Sequence, residues 1–198
     1  GRTEADLREG LTHILEQAKF MTNLVSQLLD VARLENAQDL TFAPVDVSGM
    51  LTNMVHDYTR LCAENTEKQI IITSQIEPNL RMTAHEVSLR RAITNLVDNA
   101  IKFTNTTIDI SAKLVNHELV ITVSDNGIGI EQENLEYIWD RMYQTEQSRN
   151  KKSNHGIGLG LYFVNKVISL HHGTVTATSE PQVKTTFTVR LPYNQSEE

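Results

Sequence analysis

Asn95-Leu-Val-Asp-Asn99, continued by Ala-Ile-Lys102-Phe103, is the segment that decides the fold of this chain. Asparagines four residues apart place both carboxamides on one face of a helix. The apolar residues around them recur at helical spacing, so we predict an amphipathic helix over residues 86–103. Amide oxygens on its polar face suit a hard cation that keeps several waters and is shared with phosphates.

Two glycine-rich segments follow this helix, Asp125-Asn-Gly-Ile-Gly-Ile130 and Gly156-Ile-Gly-Leu-Gly-Leu161. Glycine lets the backbone approach a ligand closely or adopt a positive φ. The first segment could be a plain turn behind a strand, and it lacks the spacing of a dinucleotide fingerprint. The second opens a helix, whose free N–H groups favour phosphate, although a plain loop-to-helix junction is the alternative. All three segments in this order predict a pocket for a nucleoside triphosphate and its magnesium ion.

The composition is that of a globular domain with an extra element, because 39% of the 198 residues are apolar and 22% are charged. The formal net charge of −7 argues against nonspecific nucleic-acid binding, despite a local basic cluster at Arg149, Lys151 and Lys152. The single cysteine, Cys62, forbids an internal disulfide and offers no metal-binding pattern, as in a reducing cytosol. No apolar run approaches the length of a membrane span, so we expect no direct membrane contact by this chain.

A heptad pattern runs through the N-terminal part of the chain. Its apolar residues alternate steps of four and three: Leu7, Leu11, Ile14, Ala18, Met21, Val25, Leu28 and Ala32. The pattern predicts a long amphipathic helix that packs in a bundle and associates with a second copy. The alternative is an amphipathic helix folded against its own domain, but helices in globular proteins average only about 11–12 residues.

The heptad pattern breaks at residue 36, and Pro44 restricts the residue before it away from helix, so we predict a hinge over residues 38–46. Further helices are predicted over residues 47–63 and 159–171, with a strand over 70–73. Alternating sequences predict one hairpin turning at Asn116-His117 and a second turning around Glu180-Pro181. Because strand–helix–strand units do not repeat, we expect an α+β fold, a two-layer α/β sandwich whose mixed sheet is covered by helices.

Taken together, these segments resemble the catalytic and ATP-binding region of bacterial two-component sensor histidine kinases. That family belongs to the ATPase superfamily that includes gyrase, MutL and the heat-shock chaperone. Residues 95–104 are similar to the family's N box, 125–130 to its G1 box, 156–161 to its G2 box, and 138–143 to the F box of its ATP lid. Residues 28–35 resemble the end of the second helix of the dimerisation and histidine-phosphotransfer domain.

The resemblance implies a domain organisation. Residues 1–37 correspond to the second helix of a dimerisation domain whose first helix is absent, and residues 38–46 to the hinge. Residues 47–194 correspond to a complete catalytic ATP-binding domain with its lid at about 131–155, and residues 195–198 to a tail.

Roles for the asparagine helix also follow from the resemblance. Asn99 is expected to coordinate Mg²⁺. Asn95 stands where hydrolytic relatives have a Glu that activates water, and an amide cannot act as that base, so ATP is expected to be held for transfer. Lys102 is expected to reach a phosphate, and Phe103 to pack against adenine.

The remaining motifs complete the expected site. Asp125 is expected to accept a hydrogen bond from the exocyclic amine of adenine, and Arg141 to take part in catalysis. Further nucleotide contacts are expected from the G1 box, the lid, the G2 box and the late strand, through Gly127, Gly129, Ile130, Tyr143, Lys151, Gly156, Gly158, Leu159, Gly160 and either Thr185 or Thr186.

Two positions depart from the family. The family often has an Arg after the aromatic residue of the F box, where this chain has Gln144. Arg141, Arg149, Lys151 or Lys152 could supply that charge, and a solvated lid face is the alternative. A glycine commonly precedes the late Thr-Thr-Phe strand, where this chain has Lys184.

The family's phosphate acceptor, a His followed directly by an acidic residue and then a Pro a few positions on, has no match here. His13 is followed by Ile14-Leu15, and His85-Glu86 lies at the start of a predicted helix, where capping or surface contact explains it. His171 and His172 end a helix, where cationic side chains suit the dipole. We therefore expect the chain to bind ATP without phosphorylating itself.

The resemblance implies transfer of the γ-phosphoryl group to a His outside this chain and then to an Asp of a response regulator. The implied partners are a second copy, through the N-terminal helix, and the receiver domain of that regulator. The implied location is cytoplasmic, in an intact protein anchored in the cell membrane. The alternatives are an ATP-binding module without kinase output and a hydrolytic ATPase of the gyrase and MutL type.

Overall fold

The computed structural model describes residues 4–35, 40–64, 68–145 and 157–193. Four α-helices are formed within these ranges: α1 (Glu4–Glu35), α2 (Val47–Glu64), α3 (Glu86–Phe103) and α4 (Gly160–Leu170). Two short 3-10 helices are present at Gln132–Asn134 and Tyr137–Trp139. The strands are β1 (Ala43–Asp46), β2 (Ile71–Ile76), β3 (Arg81–Ala84), β4 (Thr107–Val115), β5 (Glu118–Asp125), β6 (Thr174–Glu180) and β7 (Lys184–Pro192). The predicted tail and the part of the predicted lid after residue 145 lie outside the described residues.

Five of these strands form one mixed sheet in the order β2-β4-β5-β7-β6. Buried and exposed residues alternate along β4 and β7, because one face of the sheet is covered by helices and the other is not. The shared core takes Leu89, Ile93 and Leu96 from α3 and packs them with apolar residues of α4 and the sheet. The prediction of a two-layer α+β sandwich behind a long N-terminal helix is confirmed.

Both predicted hairpins are present. β4 pairs antiparallel with β5, and the connecting residues Asn116 and His117 have φ values of 50° and 62°. Two successive residues of positive φ match the turn that follows the natural twist of two strands. β6 pairs antiparallel with β7 through a turn at residues 181–183.

Two strand pairings were not predicted. β1 and β3 form a separate antiparallel pair with Ala43 opposite Ala84, so the end of the segment predicted as a hinge is a strand. β2 pairs in parallel with β4, and the chain passes through β3 and α3 between these two strands. Residues 38–39 of that hinge segment lie outside the described residues, and its role as a hinge stays a prediction.

The long helix α1 has two different parts. Near its C-terminus, Val31 and Leu34 are buried in the core, and the guanidinium of Arg91 in α3 donates a 3.4 Å hydrogen bond to the Ser26 hydroxyl. Earlier in α1 a group of large apolar side chains is more than half exposed: Leu11, Ile14, Leu15, Met21, Val25 and Leu29. The last turns therefore pack on the domain, while the preceding stripe is open to a partner.

Histidines cap two helices. The Nδ1 atom of His85 accepts a hydrogen bond from the backbone N–H of Ser88, so His85 is the N-cap of α3 as predicted. His171 follows α4 and is buried, and its Nδ1–H donates to the Val167 carbonyl at 2.8 Å. Burial lowers the pKa of His171, so the prediction of a cationic side chain at this helix end is wrong for His171.

No helix in the described ranges is long and apolar enough to span a bilayer.

Candidate functional site

A cavity of about 420 Å³ lies between α3, the end of β5 and the start of α4. This volume falls in the range of small-molecule sites, roughly 300–1,000 Å³. The cavity brings together many of the residues predicted for the site: Asn95, Asn99, Lys102, Phe103, Asp125, Gly129, Ile130, Tyr143, Gly158, Gly160 and Thr185.

Helix α3 supplies the polar wall of the cavity. Its buried positions, among them Leu96 and Ala100, fix the opposite face of the helix in the core. Asn95 and Asn99 therefore face the cavity one turn apart. A Cβ added at Gly160 would lie 3.5 Å from Oδ1 of Asn95, so the first residue of α4 is packed beside this carboxamide.

The last turn of α3 adds a cation and an aromatic ring. The Nζ atom of Lys102 lies 5.1 Å from the centre of the Phe103 ring, and both residues line the cavity. An ammonium group beside a flat apolar surface offers one contact for a phosphate and another for a base.

Asp125 is the buried acid of the site. It ends β5, between Ile108 of β4 and Thr185 of β7, and only 5% of its surface is exposed. The backbone N–H of Gly127 donates a 2.9 Å hydrogen bond to its Oδ1 atom. Burial raises the pKa of Asp125 to about 6, although the Gly127 N–H and the charge of Lys68 both lower it. At neutral pH the group is therefore a desolvated carboxylate, which is a strong hydrogen-bond acceptor.

Gly127 holds the loop after β5 against the end of α3. A Cβ at this position would lie 2.1 Å from the carbonyl oxygen of Phe103, so no side chain fits. The next residue, Ile128, donates its backbone N–H to the same oxygen at 3.3 Å. The distance between Asp125 and the aromatic wall is fixed by this backbone contact.

Gly158 closes the other side of the site. Its φ is +74°, and a Cβ there would lie 2.4 Å from the carbonyl oxygen of Tyr143. The backbone N–H of Met142 donates to the Gly158 carbonyl at 3.0 Å, and the Tyr143 hydroxyl donates to Asn134 at 2.7 Å. The described part of the predicted lid, residues 131–145, therefore meets residues 157–159, before α4, at the cavity.

Several predicted residues take other positions. Gly127 lies behind Asp125, and Leu159 is 1% exposed beneath the start of α4. The Thr186 hydroxyl bonds to Ser124 at 2.8 Å, while Arg141 is exposed and does not line the cavity. Lys151 and Gly156 lie outside the described residues, as do Arg149 and Lys152, and the individual roles of the site residues stay predictions.

The structure adds residues that sequence reasoning missed. Gln27 of α1 and Asp98 of α3 both line the cavity. The hydroxyl of Tyr58 in α2 donates a 2.5 Å hydrogen bond to Asp98, and burial is the main cause of the raised pKa of this acid. The position of Asp98 between two cavity asparagines was an available signal, whereas nothing local in α1 marks Gln27.

Asn126 has a structural role that the sequence analysis did not predict. Its Oδ1 atom accepts three hydrogen bonds at 2.9 Å, from the Thr104 hydroxyl and from the backbone N–H groups of Thr106 and Thr107. Its amide nitrogen donates to the Thr106 hydroxyl. This side chain ties the loop after α3 to the segment that carries Asp125.

Comparisons with known proteins agree with this geometry. Residues 84–195 match the family described as histidine kinase-, DNA gyrase B- and HSP90-like ATPase. The sensor-like histidine kinase SenX3 of Mycobacterium tuberculosis is 30% identical over 182 residues, which are 90% of this chain and 43% of SenX3. The sensor histidine kinase YclK of Bacillus subtilis is 32% identical over 181 residues, which are 90% of this chain and 38% of YclK. The chain thus spans about two fifths of the length of these curated relatives.

Solved structures share the fold. Full-length ShkA in complex with AMPPNP has a TM-score of 0.82 at 26% identity, with 100% of this chain and 41% of ShkA covered. The histidine kinase AdeS of Acinetobacter baumannii has a TM-score of 0.72 at 19% identity, with 98% of this chain and 87% of AdeS covered. Because the family match includes α3, the end of β5 and α4, this chain belongs to the histidine kinase-, DNA gyrase B- and HSP90-like ATPase family, with the sequence and fold of the catalytic ATP-binding region of sensor histidine kinases.

Proposed function

We propose that this chain binds ATP with Mg²⁺ in the cavity beside α3 and transfers the γ-phosphoryl group to a histidine outside the chain. The histidine then passes the group to an aspartate of a response regulator. One observation carries the proposal: Asn95 and Asn99 of α3, the buried Asp125 of β5 and Gly158 and Gly160 at the start of α4 converge on one cavity.

The base of the nucleotide is assigned to the end of the cavity at Asp125. A carboxylate there accepts a hydrogen bond from the exocyclic amine of adenine, whereas guanine offers a carbonyl oxygen at the same place. Only Oδ1 of Asp125 is engaged within the described part of the chain, by the N–H of Gly127, which leaves Oδ2 for the base. Phe103 supplies an aromatic surface, and Thr185 lies within reach as a polar group.

The triphosphate is assigned to the end of the cavity near α4. Backbone N–H groups at the first turn of a helix favour phosphate, and Lys102 supplies a positive charge from α3. Asn99 is the residue that we assign as the protein ligand of Mg²⁺, which would neutralise negative charge that develops on the phosphates during transfer. Arg141 and Lys151 are the candidates for a second cation, because Gln144 cannot supply one.

Transfer is preferred to hydrolysis because of Asn95. This residue lines the cavity with a carboxamide, which cannot remove a proton from an attacking water. ATP is therefore held intact until an acceptor histidine arrives, and catalysis consists mainly of positioning and charge neutralisation.

Two partners follow from the same proposal. The exposed apolar stripe of α1 is the surface assigned to a second copy of the chain; it consists of Leu11, Ile14, Leu15, Met21, Val25 and Leu29. A receiver domain is the assigned destination of the phosphoryl group. Sedimentation at high protein concentration tests the association with a second copy, and a purely monomeric mass contradicts that association.

We also propose that the region works in the cytoplasm as part of a protein anchored in the cell membrane.

The kinase proposal is tested with a separate phosphoacceptor domain, radiolabelled ATP and Mg²⁺. We expect label on the acceptor histidine, in a linkage that is labile to acid, and no label when that histidine is replaced by Gln. Asn99→Ala is expected to abolish labelling, while Asn105→Ala, an exposed asparagine outside the cavity, preserves it.

The alternatives give different results in the same experiment. A chain that binds ATP and never labels the acceptor acts as a binding module without kinase output. Rapid release of inorganic phosphate by the chain alone identifies a hydrolytic ATPase. Either result overturns the proposal.

A further inference from the structure

Lys68 does not line the cavity, but it contacts the last turn of α3, which forms one wall of the cavity. It lies in the connection between α2 and β2 and is half-buried. Its Nζ atom donates a 3.3 Å hydrogen bond to the Ile101 carbonyl and a second bond to the Thr104 carbonyl. These two carbonyls bracket Lys102 and Phe103, the two cavity residues of the last turn of α3.

The contact of Lys68 involves carbonyl groups at the C-terminal end of α3. The last carbonyls of a helix have no partner within it, and they carry its partial negative charge. A cation that binds two of them satisfies both groups and fixes the direction in which the chain leaves the helix. Because the Phe103 carbonyl in the same turn is packed against Gly127 and Ile128, the position of this turn sets the position of the loop after β5.

Lys68 also acts on Asp125 through its charge. Burial raises the pKa of Asp125, and the charge of Lys68 works in the opposite direction. Among the residues that the structure describes, the other charged groups that line the cavity are Lys102 and Asp98 from α3. The strand neighbours of Asp125, Ile108 on β4 and Thr185 on β7, carry no charge.

We propose that Lys68 is a positioning residue for adenine recognition, which holds the last turn of α3 through the Ile101 and Thr104 carbonyls and whose charge favours the ionised form of Asp125. This inference rests on the proposed binding of ATP for its functional consequence. Its electrostatic part concerns the ligand-free protein and is tested without nucleotide.

Three substitutions separate the two roles. Lys68→Arg keeps both the charge and the donor groups, Lys68→Gln keeps a donor without the charge, and Lys68→Met removes both. Lys113→Met, at an exposed lysine on β4 away from the cavity, is the matched control. Thermal unfolding of each variant establishes that it is folded at the temperature of the measurements.

The first measurement is the titration of the Asp125 carboxyl carbon by NMR in the absence of nucleotide. We expect the midpoint to rise in Lys68→Gln and Lys68→Met, because a cation that acts on the carboxyl favours its ionised form. Lys68→Arg and Lys113→Met are expected to titrate like the natural protein. An unchanged midpoint in Lys68→Gln overturns the inference, whether or not the protein binds ATP.

The second measurement is ATP affinity between pH 5.5 and pH 8. Lys68→Met is expected to bind about 3–10-fold more weakly at pH 7, and its affinity is expected to fall at a higher pH than that of the natural protein. A loss by the same factor at every pH indicates a structural effect alone and contradicts the inference. Failure of the natural protein to bind ATP is a separate result, which contradicts the proposed function and leaves the carboxyl titration to decide the role of Lys68.

Discussion

The backbone N–H of His85 donates a 3.1 Å hydrogen bond to Nε2 of His171, and this bond joins the N-terminus of α3 to the C-terminus of α4. Because Nδ1 of His171 donates to the Val167 carbonyl, Nε2 must be unprotonated to accept. The ring of Phe42 covers the pair at 5.0 Å from the His171 ring. The two helices that flank the cavity are thus connected by a neutral imidazole.

Acidification is expected to weaken this connection. The pKa of His171 is lowered in the folded state, so its contribution to stability is complete above the ordinary value of about 6.5 and is lost as pH falls below it. The measurement is urea unfolding at pH 7.5, 6.5 and 5.5 for the natural protein and His171→Gln. The difference in unfolding free energy between them should shrink as pH falls. A difference that does not depend on pH would contradict the prediction.

Replacement of the buried acid is expected to separate stability from binding. The pKa of Asp125 is raised to about 6, so this group stabilises the fold below its unfolded value of about 3.9 and loses that contribution as pH rises through 6. At pH 7.5 Asp125→Asn should therefore be more stable than the natural protein, by about 1–3 kcal/mol. The Asn oxygen still accepts from the Gly127 N–H, but ATP affinity should fall at least about tenfold. Urea unfolding and calorimetric titration are the measurements, and a less stable variant with unchanged affinity would refute the assignment.

Two glycines of the site are expected to respond differently to alanine. A Cβ at Gly127 meets the Phe103 carbonyl at 2.1 Å, so Gly127→Ala should destabilise the fold by more than about 2 kcal/mol. A Cβ at Gly160 meets Oδ1 of Asn95 at 3.5 Å, an ordinary contact, so Gly160→Ala should leave stability unchanged or raise it by up to about 1 kcal/mol. Thermal unfolding of both variants checks this contrast, and equal destabilisation would count against the described packing.

Loss of the Asn126 side chain is expected to loosen the loop after α3. Asn126→Ala removes an acceptor of three hydrogen bonds and leaves the N–H groups of Thr106 and Thr107 without this partner, at a cost of about 2 kcal/mol. Asn105→Ala removes one bond, donated to the Asn126 carbonyl, and should cost less than about 1 kcal/mol. Hydrogen exchange of the Thr106 and Thr107 amides reports the local effect. Unchanged protection in Asn126→Ala would show that this side chain does not hold the loop.

Local patterns in the sequence were sufficient for much of the fold. Helix α3 spans Glu86–Phe103, the predicted range, because apolar residues at helical spacing fix one face and the N-cap is a neighbouring residue. The hairpin at Asn116-His117 was predictable for a similar reason, since alternation and turn geometry act over a few residues. The short strands β1 and β3 carry too few residues for a period to be visible, and only their mutual pairing makes them strands.

The sequence by itself determined the helices, the hairpins and the chemical kinds of residue available for a nucleotide, because backbone preferences and side-chain periodicity depend on near neighbours. Tertiary structure alone decided the parallel pairing of β2 with β4, the presence of Gln27 at the cavity and the contact of Lys68 with the end of α3. It also decided the protonation of two groups that the sequence could only name, the neutral His171 and the weakly acidic Asp125. The physical reason is that burial and charge depend on residues that are distant in the chain and meet only when it folds.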